Sequence, residues 1–293
     1  MVEFIASIGA PILAFLAFFQ FWAKILWEKY FRKGKIDYYE TGTIVIGYHT
    51  WGPVIGLNGT LRALNNDVFI RSMDLLVVRE RDRAQHTVKW IAFQSPKIDI
   101  AGSQPAPMEL PSGFMVSPNL PHRFNIIFND NDLFKDISQL LSKYTSEWYT
   151  TTEELTKIQP PSMGMPPQPE IFARQLKVID GFRKSKIHLD TYTALSGKCY
   201  WESGDYQLTV NVKASKPDRV FTRTYRFSIS EADSKNLKLN VITILEQPIA
   251  NYRRVQNYPY NFAFSEYKKP EKLLNKSSFN VQAAKLSDRS HHY

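Results

Sequence analysis

The groups in this sequence best able to do chemistry are one cysteine, six histidines and a short acidic cluster. Cys199 stands between Lys198 and Tyr200. Beside a histidine its thiolate would be a nucleophile, although a strand position is the plainer assignment. A lone cysteine forms no internal disulfide, so burial has to stabilise the fold. His49, His86, His122, His188, His291 and His292 are scattered along the chain. None stands at a metal-ligand spacing to another His, Cys, Asp or Glu on a readable helix, and the His291–His292 pair offers at most a weak metal contact. Asn129-Asp130-Asn131-Asp132 carries hard oxygen donors that suit calcium, but it lacks the glycine and distal glutamate of an EF-hand loop. It precedes an amphipathic run, and an N-cap at Asn131 or Asp132 accounts for it. No metal or cofactor is expected.

Walker, GxSxG and GxGxxG patterns are absent, and the glycines from Gly47 to Gly59 are spaced as turn and bulge positions. Catalysis would need a site assembled from distant residues. Asp74, Asp205, His49 and Glu202, all near expected strand ends, are the loose candidates. Asn58-Gly59-Thr60 and Asn275-Lys276-Ser277 match glycosylation sequons, which stay unmodified on a cytoplasmic domain.

Phe4 to Ala23 holds no charge, and ten of its twenty residues are Phe, Ile or Leu. At about 1.5 Å per residue it covers about 30 Å, the thickness of a hydrocarbon core. A cleaved signal peptide is disfavoured because only Glu3 precedes the run and no small-residue cleavage site follows it. An interfacial helix would need a polar face. The expectation is therefore a single-pass signal-anchor. Trp22, Lys24, Trp27, Lys29, Tyr30, Arg32, Lys33 and Lys35 would sit at the membrane interface, with the basic flank and the body of the chain cytoplasmic. Gly9 and the alanines at 10, 14 and 17 form a small-residue stripe that would let anchors pack into an oligomer.

Beyond Gly42 the period changes to that of strands. Thr43–Tyr48, Val54–Leu64, Val68–Glu80 and His86–Phe93 read as a meander, with apolar residues on both faces of the Val68 run. Residues 94–121 read as a long loop and His122–Phe128 as a strand. Leu133, Ile137, Leu140, Leu141, Tyr144 and Trp148 recur at helical spacing. Gln159–Gln168, with four prolines, reads as a linker. Glu170–Lys184 suits a short helix; Gly204–Val212, Val220–Ile229, Leu237–Leu245 and Tyr260–Tyr267 suit strands.

The expected organisation is an anchor and juxtamembrane helix over 1–34, a β-rich region over 35–158, a linker over 159–169, a second β-rich region over 170–267 and a basic mobile tail over 268–293. The expected fold class is mainly β with one N-terminal transmembrane helix, an antiparallel immunoglobulin-like β-sandwich and one amphipathic soluble helix. Lys+Arg 37 against Asp+Glu 28 gives a net charge of +9. The basic residues are explained by the juxtamembrane stretch, the 79–83 tip and the tail, so nucleic acid is not expected as a partner. The function expected is a membrane-anchored, cytoplasmic-facing β-domain that binds or scaffolds other proteins, with the lipid bilayer and those proteins as partners and no catalysis inferred. Two alternatives stand beside it: an enzyme with a dispersed site, and a subunit of an oligomeric transport or envelope assembly.

Overall fold

The computed structural model of the chain describes residues 18–27, 34–94, 108–158, 169–216, 218–256 and 258–269. In chain order these form α1 (18–27), β1 (Ile36–His49), β2 (Gly52–Ala63), β3 (Val68–Arg79), β4 (Gln85–Gln94), β5 (Met108–Glu109), β6 (Phe114–Val116) and β7 (His122–Asn129). α2 (Asn131–Ile158), α3 (Pro169–Arg183), α4 (Lys186–Lys198), β8 (Gly204–Lys216), β9 (Asp218–Ile229), α5 (Glu231–Arg253) and β10 (Phe262–Glu266) follow.

All ten strands belong to one antiparallel sheet of order β10-β1-β2-β7-β4-β3-β8-β9, with β5 on β4 and β6 on β3. The sheet curls until its ends meet at a single bridge between Arg226 and Lys268. Strands from both halves of the sequence share it: β3 pairs with β8 from Phe69 to Arg79, and β1 pairs with β10 from Thr43 to Gly47. The expected β-sandwich is therefore corrected to one curled sheet, whose inner face and helices enclose the core. Alternation along β8 sends Tyr206, Leu208, Val210, Val212 and Ala214 inward, which is what builds that core.

The two-faced pattern of β3 has a local cause. Its register against β8 slips between Phe69 and Ile70 and again between Ile70 and Ser72. Val68 and Ile70 are buried before this irregularity, and Met73, Leu75 and Val77 after it. The bulge thus shifts the parity by one and keeps both apolar sets on the core side.

α2, α4 and α5 pack together at the end of the sheet where β1 turns into β2. Gly52, with φ +89°, makes that turn possible. The residues Leu237–Leu245, expected as a strand, are the middle of α5. Ser230 caps the helix by accepting from the Asp233 N–H at 3.1 Å, and Leu237, Val241, Ile244 and Leu245 are buried at helical spacing. The β-branched run Val241–Ile244 imitates a strand locally, but burial against the sheet end selects the helix.

Three buried polar groups lock the helices to the sheet. The Trp201 indole N–H donates to the Gly47 carbonyl at 2.9 Å, and the Tyr48 hydroxyl donates to the Leu195 carbonyl at 2.8 Å. Asn240 on α5 is fully buried. Its amide donates to the carbonyls of Tyr48 and Asn261 at 2.9 and 2.8 Å, while its oxygen accepts from the Asn261 N–H at 2.8 Å.

The expectation of a single-pass membrane protein is also corrected. Among the described residues, no helix is long and apolar enough to cross a membrane. The described part of α1 covers residues 18–27. Most of the expected span, residues 1–17, lies outside the described residues, as do Lys29, Tyr30, Arg32 and Lys33 of the expected interface set. Of that set, Trp22, Lys24 and Trp27 are exposed on α1, and exposed Lys35 precedes β1 with its carbonyl accepting from the Leu64 N–H. The membrane assignment and the cytoplasmic placement that followed from it lose their support. The Gln159–Gln168 linker and the tail beyond Lys269 also lie outside the described residues.

Replacing Asn240 with alanine removes the partners of the buried Tyr48 carbonyl and of the part-buried Asn261 carbonyl and N–H, and is expected to cost about 2–4 kcal/mol. Urea unfolding checks this; a loss below 1 kcal/mol would show that water replaces the amide.

Candidate functional site

α2 begins within the acidic tetrad, at Asn131. The cap is Asp130, one residue earlier than expected: its Oδ1 accepts from the N–H groups of Asp132 and Leu133, both at 3.1 Å. The tetrad therefore stabilises a helix start. Among the described residues, no group of three or more His, Cys, Asp or Glu could hold a metal ion.

From this start α2 runs 28 residues, and its stretch from Leu141 to Thr156 and the end of α5 from Ile244 to Tyr252 bound a groove of about 450 Å³. Its floor is aromatic. Trp148 is 2% exposed and meets the Tyr252 ring edge-on, with centroids 6.0 Å apart. Tyr149, one residue on, is 64% exposed and stands at the rim. Thr152 and Thr156 continue the α2 wall, and their hydroxyls donate to the carbonyls of Tyr149 and Thr152, leaving oxygen lone pairs toward the opening.

The α5 wall carries Pro248, which has no N–H to give to the Ile244 carbonyl one turn earlier, so that carbonyl at the groove lacks its usual helical partner. Gln247 is oriented by Tyr260, whose hydroxyl donates to Oε1 at 3.0 Å; both N–H bonds of its amide remain as donors. Among the described residues, no Asp, Glu, Lys, Arg, His or Cys belongs to the lining of this groove.

Behind the floor lies a supporting network. The Tyr144 hydroxyl donates to the Leu245 carbonyl at 3.0 Å and is 3.0 Å from His188 Nδ1. With its own proton committed, that hydroxyl must accept from the ring, which assigns the His188 proton to Nδ1. Burial lowers the His188 pKa, and burial raises that of Tyr144. Arg183 forks onto Glu246, Nε to Oε1 at 2.9 Å and Nη2 to Oε2 at 2.6 Å, tying α3 to α5. This network holds Tyr144 rigid and neutral, suiting it to shaping the groove rather than to proton transfer.

At the sheet end of the groove, beside Thr50, His49 packs between Trp51 and Tyr260 at ring distances of 5.3 and 5.9 Å. Its Nδ1 accepts from the Trp51 N–H at 3.2 Å, so the ring is neutral with its proton on Nε2. Burial pushes its pKa down to about 4.

The other candidates are not brought together. Asp74 on β3 accepts from the Asn211 amide at 2.9 Å and pairs with Lys213. Glu202 pairs with Arg79 at 2.7 Å and Arg81 at 3.3 Å, while Asp205 sits on β8 opposite Ser228. Cys199 is buried at the C-cap of α4, and burial pushes its thiol up to about 11, so it is an uncharged packing group. His86 stacks on Tyr200 at 3.6 Å and His122 on Phe114 at 4.2 Å. His291 and His292 lie outside the described residues.

Sequence reasoning found Tyr144 and Trp148 as helix-spaced apolar positions but missed the groove, because its second wall was read as a strand. The pair Ser230 and Asp233 before that wall was the available helix-start signal. Compared with known protein families, curated proteins and solved structures, the chain matches none of them.

His49 has a stability consequence whose sign follows from its lowered pKa. Its unfolded value of 6.5 lies above the folded value of about 4, so the unfolded chain binds more protons between those pH values. Its contribution is complete above about pH 6.5 and falls as the pH drops toward 4, by about 2–3 kcal/mol at pH 4.5. Urea unfolding of His49→Gln at pH 7 and 4.5 is expected to show a correspondingly smaller pH dependence than the parent chain; equal dependence in the two would refute the assignment.

Proposed function

We propose that this chain is a protein-binding module whose α2–α5 groove receives an extended, uncharged segment of a partner protein. The observation that carries this reading is the composition of the lining: Trp148, Tyr149 and Tyr252 supply aromatic surface, and Gln247, the threonines and the Ile244 carbonyl supply neutral hydrogen-bonding groups, with no ionised side chain among them. Such a surface suits a peptide whose backbone carbonyls and N–H groups meet fixed donors and acceptors while its apolar side chains lie on rings. A charged segment would lose its hydration there and gain no opposite charge.

A proton-transfer or nucleophilic reaction has less support, since Cys199 and His49 are both held uncharged by burial and neither lines the groove. The engaged state of Arg79 with Asp82 and Glu202 likewise favours a protein partner over a phosphate backbone.

Fluorescence anisotropy with a labelled, uncharged decapeptide of alternating proline and glutamine or threonine tests the reading. It is expected to bind at least tenfold more tightly than the same peptide carrying three lysines or three glutamates. Tyr149→Ala, at an exposed rim position, is expected to weaken binding about tenfold, about 1.4 kcal/mol, with the unfolding midpoint unchanged. Equal affinity for neutral and charged peptides, or no effect of Tyr149→Ala, would overturn it.

A further inference from the structure

The turn from β1 into β2 connects a histidine to the groove through two further side chains. His49 is half-buried beside Thr50, and its Nδ1 accepts from the Trp51 N–H at 3.2 Å. Trp51 is held from a second side: its carbonyl accepts from Asn129 Nδ2 at 2.6 Å, and Asn129 is buried at the end of β7. The His49 ring also packs on Tyr260, tilted by 57° at a centroid distance of 5.9 Å. Tyr260 lies between α5 and β10, and the next residue, Asn261, is bonded to Asn240 through both its N–H and its carbonyl. The Tyr260 hydroxyl donates to Gln247 Oε1 at 3.0 Å. The groove's amide donor is thus oriented by a ring that rests on His49.

Only one protonation state of His49 fits this arrangement. A neutral imidazole has a single acceptor nitrogen, and here it is the Nδ1 that takes the Trp51 N–H. Adding a proton makes both ring nitrogens donors, so two N–H groups would face each other across 3.2 Å. With Trp51 held from β7, the imidazole is the part that turns. Its departure removes the surface on which Tyr260 packs, and with it the placement of the hydroxyl on Gln247.

Among the described residues, no charge stands ready to steady a protonated ring. Those on the surrounding elements face elsewhere. Asp130 caps α2, Asp136 of α2 pairs with Lys198 at 2.8 Å, and Glu246 of α5 pairs with Arg183 at 2.6 Å. Lys238 of α5 acts on Cys199, and Glu266 of β10 lies opposite Thr43. Tyr260 is neutral, its pKa raised by burial. Burial is accordingly what pushes the His49 pKa down.

We propose that His49, Tyr260 and Gln247 form a proton-sensitive switch on the α2–α5 groove: a proton added at His49 Nδ1 releases the Gln247 amide and weakens the hold on an uncharged segment. The inference rests on the groove being the binding site. Tyr260 is a positioning residue, since it touches Gln247 and does not line the groove.

Nuclear magnetic resonance on the full chain, with its glutamine side chains labelled with nitrogen-15, tests the switch without any ligand. The Gln247 amide signal is identified by its loss in Gln247→Met. It is expected to shift between pH 6 and 3.5 with a midpoint of about pH 4, and to stay in place in His49→Gln and in Tyr260→Phe. Fluorescence anisotropy with the neutral, end-blocked decapeptide is expected to show affinity falling about twofold at pH 4, where half of the rings carry a proton. The same measurement on Tyr260→Phe is expected to show binding weakened about fivefold at pH 7 and no longer dependent on pH. The switch is overturned if the Gln247 signal does not titrate, if it titrates equally in His49→Gln, or if native far-ultraviolet circular dichroism is lost before it moves. A peptide that fails to bind at pH 7 overturns the groove reading instead, and the Gln247 titration still decides the linkage to His49.

Discussion

A buried amide on α5 holds the two ends of this architecture in register. Asn240 has no contact with water, and each of its hydrogen-bonding groups is matched to a backbone group where β1 ends or where the chain approaches β10. A buried polar group costs heavily unless matched, so this position tolerates one placement of α5 against the sheet and penalises others. Hydrophobic contact alone would hold the helix there without fixing where along the sheet it sits. The Trp201–Gly47 and Tyr48–Leu195 bonds act in the same way on α4 and the segment after it. Gly47 shows how tight the seam is: a Cβ there would stand 2.8 Å from the Phe262 ring.

That fixed seam explains why a groove opens beside the sheet. With α5 pinned at the β1–β10 junction, its outward face can lie beside α2 without merging with it, and Pro248 breaks the helical bonding at the groove. The same junction brings β10 between β1 and β9, where Lys268 bridges Arg226. The groove is a place where neutral polar groups of side chains lie beside aromatic surface.

Much of the strand pattern is legible in the sequence because the sheet has one core face, which enforces alternation from Tyr206 to Ala214 and from Tyr225 to Ile229. The exceptions are instructive. β3 looked ambiguous because a bulge inverts its parity, an event that depends on the partner strand β8, more than 130 residues away in the sequence. α5 looked like a strand because β-branched residues carry that preference locally, while the spacing that marks its buried face includes Asn240 and Ser234, polar residues that a hydrophobic pattern skips. Half of the groove was visible as the helical spacing of Tyr144 and Trp148; the other half was hidden by the misreading of α5.

By itself the sequence determined the alternating strands, the capped start of α2, the absence of any disulfide within the chain, and the short acidic tetrad as a helix signal. These rest on interactions between residues close in the chain, where spacing is enough. Only the tertiary structure decided that the two β-rich halves form a single curled sheet, that Cys199 and His49 are held uncharged, and that an aromatic groove lies between α2 and α5. Each of those depends on which distant segments share a neighbour, and on the burial that follows, which no local pattern encodes.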